Sequence, residues 1–262
     1  MADLGSLIFR TRDDDGDIDV YEDARCRYLT FGNQVEQSCV DLANPACLPY
    51  VYTQAIMLGL LLHPQPRRVL MLGVGGGSLL RALRAADPRL QITGVEQRQL
   101  VVDVARTYFG LPDDRRVRIA VDDATRFLQN DHDAYDLLIT DLYLASGMHP
   151  EQVEVDFLQL CRARLAPDGI LVMNQWASEF SHNRAAHGNL AAVFDTRVLN
   201  LHVQGGNIIN FAFRGALPDV RREEFYAEAQ ALGLCLSIPL QRHARNLWRQ
   251  NSEVLRGSRC RR

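Results

Sequence analysis

The spacing of apolar and polar positions changes twice along the chain. Up to about residue 45, short apolar–polar alternations at Ile18–Tyr21 and Arg25–Phe31 are separated by Asp-Gly and Gly-Asn turn signals. This pattern predicts a small N-terminal β-region over residues 1–45. A helical pattern follows from Pro49 to Leu62, and we expect it to end at the two prolines of His63–Pro66, because proline interrupts a helix.

From Arg68 onward, apolar strand patterns alternate with amphipathic helical patterns. Near-continuous apolar strands are typical of a parallel sheet covered on both faces, so we predict a doubly wound α/β domain over residues 46–240. Of two later strands, the second is expected to close the sheet in the antiparallel sense. The predicted strands are Val69–Leu72, Gln91–Val95, Val117–Val121, Tyr135–Thr140, Gly169–Asn174, Thr196–Val203 and Asn207–Phe213, and the predicted helices are Ser78–Ala86, Leu100–Phe109, Ala124–Gln129, Gln152–Leu165 and Asn183–Phe194.

Composition narrows the class of protein. The 262 residues, 47% of them hydrophobic, are enough for one well-packed domain of good size. No apolar run approaches the ~20 residues that span a bilayer. The acidic N-terminal segment also lacks the apolar core of a signal peptide. We therefore expect a soluble, cytoplasmic protein without a membrane partner.

Charge and cysteine usage exclude some chemistry. All 29 basic residues are arginine, which excludes a Schiff-base lysine and the lysine of a phosphate-binding P-loop. Residues 241–262 hold seven arginines against Glu253 and are expected to form a solvated, frayed tail; a nucleic-acid role is the less favoured alternative. The six cysteines show no metal-ligand spacing, so we predict reduced thiols and no metal site.

A glycine-rich loop follows the first core strand directly. The spacing Gly73-x-Gly75-x-Gly77 lets the backbone turn tightly and lets a ligand approach the start of the next helix. A dinucleotide loop would have a third glycine at Ser78. The spacing instead resembles the first motif of S-adenosylmethionine-type Rossmann folds, with a purely structural turn as the alternative.

Acidic residues follow three successive strands of the predicted sheet. Glu96 lies about 20 residues after the glycine turn, where a carboxylate can accept both hydroxyls of a ribose. In Asp122-Asp123-Ala124, we assign Asp123 to an adenine amino group and Asp122 to the cap of the following helix. Asp141 ends the fourth strand and faces the ligand crevice of such a sheet. For Glu96 the alternative is a solvated acid at a strand end, and for the aspartate pair it is the reverse assignment of the two roles.

Longer stretches agree with these motifs. They are His63–Gly77, Gly94–Glu96, Asp123-Ala124, Tyr135–Asp141, Leu165–Leu171 and Gly206–Phe211. Together they resemble the spermidine synthases, the polyamine aminopropyltransferases, over roughly residues 18–232. The resemblance implies a Rossmann-like, seven-stranded methyltransferase-type sheet that binds S-adenosylmethionine, its decarboxylated form or methylthioadenosine, with an amine as second substrate, and a possible homodimer.

The resemblance also implies which residues of this chain bind the ligand. Glu96 matches the ribose acid and Asp123 the adenine-binding acid. Gln37 matches a glutamine near the nucleoside. The loop glycines Gly73, Gly75 and Gly77 match the family's loop, and Ala124 follows the adenine acid.

The chain departs from the family where the amine would bind. The family has a proton-accepting aspartate three residues after the fourth-strand aspartate, and this chain has Leu144 there. The loop acid that would hold the aminopropyl ammonium is replaced by Gly76 or Gly77. A tyrosine that seats the diamine has no counterpart at Gln204-Gly205.

Other residues could compensate for these departures. Asp141 and Tyr143 are the candidate catalytic residues, Tyr143 orienting a substrate or packing. His149 is a candidate base, or a loop histidine with no role. Trp176 forms the cavity wall or packs in the core. The acids Glu151, Glu154, Asp156 and Glu179 are possible substitutes or simply solvated side chains. Three functions remain open: aminopropyl transfer, methyl transfer by the same nucleoside chemistry, and nucleoside binding without catalysis.

Overall fold

The N-terminal residues form a four-stranded antiparallel sheet, as seen in a computed structural model that describes residues 4–32, 35–63, 65–144, 147–176 and 188–257. The strands pair in chain order. Their bounds are β1 Ser6–Asp13, β2 Gly16–Glu22, β3 Cys26–Thr30 and β4 Glu36–Asp41. The predicted β-region is therefore present, although the sequence pattern showed only β2 and β3.

A β-bulge interrupts the pairing of β3 with β4. Thr30 pairs with Glu36 and Leu29 pairs with Ser38, so Gln37 is an extra residue in β4. Such a bulge bends the strand and changes the direction of its side chains.

The second sheet has seven strands in the order β12-β13-β11-β8-β5-β6-β7. Of the described strands of this sheet, β13 alone runs opposite to the other six. This confirms the predicted doubly wound α/β, Rossmann-like class. The edge of the sheet, however, is β12, because β13 inserts between β12 and β11. The bounds are β5 Arg68–Leu72, β6 Gln91–Glu96, β7 Val117–Val121, β8 Tyr135–Thr140, β11 Leu165–Trp176, β12 Val198–His202 and β13 Asn207–Phe213, with a short hairpin of β9 Tyr143–Leu144 and β10 Gly147–Met148.

Helices cover both faces of this sheet. One apolar cluster joins the sheet to α1, α2, α3, α8 and α9, and a second joins it to α5, α6 and α7. Val101 and Val104 of α4 pack on the N-terminal sheet. The helices are α1 Val51–Ile56, α2 Gly59–Leu62, α3 Ser78–Ala86, α4 Gln99–Tyr108, α5 Ala124–Asn130, α6 Val155–Arg164, α7 over 188–193, α8 Arg222–Leu236, α9 Leu240–Gln250 and α10 Ser252–Gly257.

The predicted helix from Pro49 to Leu62 is in fact two short helices, α1 and α2. Gly59 begins α2 in close contact with the sheet, where an added Cβ would lie 2.9 Å from Val172 Cγ2 and 3.0 Å from Leu137 Cδ1. Between the two helices, Met57 and Leu58 keep right-handed helical angles, and the hydrogen bonds from Leu58 N to Ala55 O and from Leu60 N to Met57 O form a tighter turn.

Two further helix predictions need correction. Gln152–Leu165 is a 3₁₀ turn, Pro150–Val153, followed by α6, and Leu165 already belongs to β11. Of the predicted helix Asn183–Phe194, residues 188–193 are helical, and residues 183–187 lie outside the described part of the chain.

The sequence analysis predicted a solvated, frayed tail over residues 241–262, and this prediction is wrong for α9. Leu240, Ala244 and Leu247 are fully buried in the core, while the arginines of this helix face solvent. His243 Nε2 lies 3.1 Å from Gln54 Oε1 of α1, and burial lowers the pKa of His243 to about 4. The imidazole is therefore neutral near pH 7. The division into regions 1–45, 46–240 and 241–262 stays a prediction.

Among the described helices, none combines the length and apolar character needed to cross a bilayer.

Candidate functional site

A cavity of about 680 Å³ lies at the carboxyl ends of β5, β6, β8 and β11, with β4 and α1 on its other side. The structure brings nearly all of the predicted site residues to it. Those that line it are Gln37, Gly73, Gly75, Glu96, Asp122, Asp123, Ala124, Asp141 and Tyr143.

Gly77 is the exception among the predicted ligand-binding glycines. It is the N-cap of α3, at φ +73°, and an added Cβ would lie 2.5 Å from Leu111 Cδ1. Its role is therefore to turn the chain tightly against Leu111, and it does not line the cavity.

Gly73 brings the glycine loop against the end of β8. Its φ is +88°, and an added Cβ would lie only 2.3 Å from the backbone oxygen of Asp141. No residue with a side chain could adopt this contact without moving one of the two segments. The loop and Asp141 are thus held together by backbone packing.

Glu96 faces the glycine loop. Its Oε2 accepts hydrogen bonds from the backbone N–H groups of Val74 and Gly75, both at 3.1 Å, and its Oε1 accepts from Arg98 N at 3.2 Å. The carboxylate is therefore held in one orientation at the cavity wall, where a hydroxylated ligand can meet it.

The N-terminal sheet closes the rim next to Glu96. The Arg98 guanidinium donates to Asp13 Oδ1 at 2.6 Å and to Gly16 O at 2.8 Å, and it stacks on the Phe31 ring. Asp15 and Phe31 line the cavity. The small β-region is thus part of the site.

The cap of α5 is Asp123 and not Asp122, to which the sequence analysis assigned it. Asp123 is the N-cap of α5, and its Oδ1 accepts from Arg126 N at 2.8 Å. Asp122 instead accepts from Asp123 N and forms an ion pair with the Arg126 guanidinium. The cap falls on Asp123 because α5 starts immediately after it, at Ala124.

Asp141 lies at the floor of the cavity. Its Oδ1 accepts from Asn174 Nδ2 at 2.8 Å, and its Oδ2 lies 3.5 Å from the Tyr52 hydroxyl. Part of Asp141 is accessible from the cavity, but protein encloses the carboxyl group on its other sides. This burial raises its pKa to about 6, although both hydrogen bonds oppose the shift. The group can therefore exchange a proton near neutral pH.

Aromatic and apolar side chains form the wall beside Asp141. Tyr143 and Trp176 meet edge to face, with ring centroids 6.5 Å apart. Trp176 is 37% exposed and lines the cavity, which excludes the core-packing alternative. Leu144 is 40% exposed and also lines the cavity, so the side chain at this position of the wall is apolar.

The side chains that could compensate for the missing acid lie in different places. Glu151 and His149 line the cavity, but His149 Nδ1 caps the 3₁₀ turn by accepting from Glu151 N at 3.4 Å. Glu154 and Asp156 are exposed at the start of α6 and are not among the cavity residues. Glu179 lies outside the described residues.

Sequence reasoning missed several residues of the site. Glu36, Tyr50 and Tyr52 all line the cavity, and so does Asn174. The Tyr50 hydroxyl donates to Glu36 Oε2 at 2.5 Å, and the Tyr50 and Tyr52 rings stack at 6.0 Å. Asn174 could have been found, because it lies near the carboxyl end of the next core strand. Glu36 could not, because β4 was not among the predicted strands and the direction of its side chains was therefore undefined.

A second cluster of possible metal ligands lies outside the cavity. Atoms of His63, Asp136 and Asp168 lie within 4.8 Å of one another. His63 Nδ1 accepts a hydrogen bond from Gln65 N at 3.2 Å, and its Nε2 lies 3.6 Å from Asp168 Oδ2, beyond hydrogen-bonding distance. The absence of a metal site stays a prediction.

The sheet, the glycine loop and the acids at its strand ends define a Rossmann-like protein of the S-adenosylmethionine-dependent methyltransferase fold. Solved structures agree with this class. A probable spermidine synthase from Corynebacterium glutamicum superposes on this chain with a TM-score of 0.71 at 22% identity. The match covers 89% of this chain and 87% of that one. It also resembles human methyltransferase-like protein 13 in complex with SAH, with a TM-score of 0.61 at 25% identity, covering 72% of this chain and 93% of that one.

The chain belongs to the spermine/spermidine synthase family. The family's "Spermine/spermidine synthase domain" matches residues 50–196, more than half of the chain. A polyamine aminopropyltransferase of Neisseria meningitidis serogroup A is 27% identical over 229 residues, covering 86% of this chain and 87% of the relative. One from Chromobacterium violaceum is 28% identical over 200 residues, covering 76% of each chain.

Proposed function

We propose that this protein is a transferase that binds an adenosyl-sulfonium nucleoside and moves the aminopropyl group of decarboxylated S-adenosylmethionine to an amine. The observation that carries the proposal is the juxtaposition of the loop-bound Glu96 with Asp141 in one cavity. Relatives named polyamine aminopropyltransferases support it, as does a similar fold solved as spermidine synthase with the transition-state analogue AdoDATO, at a TM-score of 0.68 and 22% identity.

The nucleoside end is built from Glu96, Asp122 and Asp123. Glu96 would accept the two ribose hydroxyls while it keeps the loop amides. Asp123 uses Oδ1 for the cap of α5, and its other oxygen would take the adenine amino group. Gln37 and Ala124 form part of the surrounding wall.

The transfer step needs a neutral amine. The nitrogen lone pair attacks the methylene carbon next to sulfur, the C–N bond forms and the C–S bond breaks. The C–S electron pair stays on sulfur, which becomes the neutral thioether of methylthioadenosine. An amine with a pKa near 10 must lose a proton, and Asp141, with a pKa of about 6, would accept it.

Leu144 limits this chemistry. It removes the acid that the family uses to accept the proton, and general-base assistance contributes typically ~10²–10⁴-fold. We therefore expect slow turnover of putrescine at neutral pH, with Asp141 supplying the remaining assistance.

The test combines binding with turnover. Thermal unfolding is measured with S-adenosylmethionine, its decarboxylated form and methylthioadenosine, and a ligand that binds only the native state should raise the melting temperature. Chromatography then follows methylthioadenosine and the new amine during incubation with putrescine. If none of the three ligands stabilises the folded protein at millimolar concentration, the proposed nucleoside site is wrong.

Methyl transfer is the second candidate. The likeness to human methyltransferase-like protein 13 supports it, and so does the apolar Leu144, since displacement at a methyl group depends more on positioning than on a base. Release of S-adenosylhomocysteine instead of methylthioadenosine would identify this reaction. Binding without either product would identify a nucleoside-binding protein.

A further inference from the structure

The glycine loop has no room for the acid that the family places there. An added Cβ at Gly76 would lie 2.7 Å from Ser38 Oγ, and Ser38 Oγ is itself 2.8 Å from Ser78 Oγ. At Gly77, a Cβ would meet Leu111 at 2.5 Å. Any charge that holds an ammonium near this loop must therefore come from another element.

The strand that fills this space also carries an acid. Glu36 lies two residues before Ser38 on β4, and both line the cavity. The bulge at Gln37 brings three consecutive side chains of β4 to the cavity, where a regular strand would turn the middle one away. A carboxylate thus enters the cavity from the strand that contacts the glycine loop.

A tyrosine fixes the position of Glu36. The buried Tyr50 hydroxyl donates to Glu36 Oε2 at 2.5 Å. Burial and this hydrogen bond raise the pKa of Tyr50 well above its ordinary value, so Tyr50 remains a neutral donor. Tyr50 stacks on Tyr52, whose hydroxyl lies 3.5 Å from Asp141. The two carboxylates therefore stand at opposite ends of a stacked tyrosine pair.

We infer that Glu36 binds the ammonium of the aminopropyl group and selects decarboxylated S-adenosylmethionine over S-adenosylmethionine. This inference rests on the proposed function. Glu36 supplies a charge from β4 that the loop cannot supply from Gly76. The same charge repels the carboxylate that only S-adenosylmethionine carries in this part of the ligand, whereas methylthioadenosine has neither group.

Calorimetric titration of Glu36→Gln with the three nucleosides tests this role. Affinity for decarboxylated S-adenosylmethionine should fall by roughly tenfold to a hundredfold, the usual cost of a lost hydrogen bond to a charged group. Affinity for methylthioadenosine should stay within about twofold of wild type. The ratio of the affinity for decarboxylated S-adenosylmethionine to that for S-adenosylmethionine should fall. Glu154→Gln, at the exposed start of α6, is the matched control for loss of one negative charge.

Each other outcome is informative. Equal losses for all three nucleosides, or no loss at all, would overturn the inference, as would a change confined to the KM of the amine. Wild-type protein that binds none of the three would instead contradict the proposed function. If Glu36→Gln fails to fold, Tyr50→Phe keeps the carboxylate but loosens it, and a loss of affinity selective for the decarboxylated ligand is still expected.

Discussion

Asn174 donates a 2.8 Å hydrogen bond to Asp141 from the neighbouring strand of the sheet. Burial of Asp141 favours its protonated form, and the Asn174 hydrogen bond favours its charged form. The balance leaves a pKa of about 6, which makes Asp141 a stronger base than an exposed aspartate.

The activity should therefore depend on pH through Asp141. We expect kcat/KM for amine transfer to rise with an acid limb near pH 6, because the carboxylate must be deprotonated to accept a proton. Asn174→Ala removes a hydrogen bond that stabilises the charged form, so the limb should move to higher pH. Initial rates from pH 5 to 8.5 measure it. An identical limb in both proteins would show that another group titrates.

Asp141 should also lower stability at neutral pH. Its pKa is raised on folding from 3.8 to about 6, so the protonated group stabilises the fold below about pH 4, and that contribution is lost as pH rises past 6. Asp141→Asn is neutral throughout. Relative to wild type, its free energy of unfolding should therefore improve by up to about 3 kcal/mol between pH 4 and pH 8. Urea unfolding at the two pH values measures this, with the exposed Asp156→Asn as control. A difference that does not change with pH would contradict it.

Replacement of Glu96 should mainly affect nucleoside binding. Glu96→Gln keeps one oxygen for the amides of Val74 and Gly75 but loses the acceptor for Arg98 N and the charge offered to two ribose hydroxyls. We expect methylthioadenosine affinity to fall by about 2 kcal/mol or more, and stability to fall by about 1 kcal/mol for the lost hydrogen bond. Calorimetric titration beside thermal unfolding separates the two effects. Wild-type affinity in a folded variant would remove the ribose role.

Asp123 should have separable structural and binding roles. Asp123→Ala removes the N-cap of α5 and should cost about 1 kcal/mol of stability, whereas Asp123→Ser retains a capping oxygen and should cost less. Both variants lose the carboxylate, so both should bind nucleoside more weakly. Denaturant unfolding measures the stability of the two variants, and calorimetric titration with methylthioadenosine measures their affinity. Equal stability of the two variants would argue against the cap.

Leu144→Asp should raise the rate of aminopropyl transfer to putrescine. Leu144 is exposed to the cavity, so a carboxylate can be placed there without burial in the core. The gain should lie within the ~10²–10⁴-fold range of general-base assistance. Spermidine is measured by chromatography, with Leu144→Asn as the isosteric control without charge. Equal rates for the two variants would show that the charge at this position does not assist transfer.

The sheet and the positions of the acids at its strand ends were predictable because they depend on local patterns. Strands such as β8 and β13 have the predicted bounds, and Glu96 and Asp141 lie at the strand ends where the pattern placed them. These features follow from apolar runs and from the geometry of parallel sheets.

The remaining features depend on contacts between distant segments. Gly59 lies where an added Cβ would be 2.9 Å from Val172 Cγ2, a contact between segments far apart in the chain. The bulge at Gln37 depends on the pairing of β4 with β3. The spacing of residues encodes neither contact. The cap of α5 differs from these, because the predicted helix start at Ala124 already places the N-cap at Asp123.

The contact between His243 and Gln54 has a consequence for the order in which the site is completed during synthesis. Helix α1 carries Tyr52, and α9, which covers α1, follows the whole sheet along the chain. The glycine loop, α1 and α9 share one apolar core, and a domain generally folds as a unit. The part of the cavity wall that Tyr52 forms is therefore complete only after residues 240–250 have been synthesised, so nearly the whole chain must leave the ribosome before the site exists.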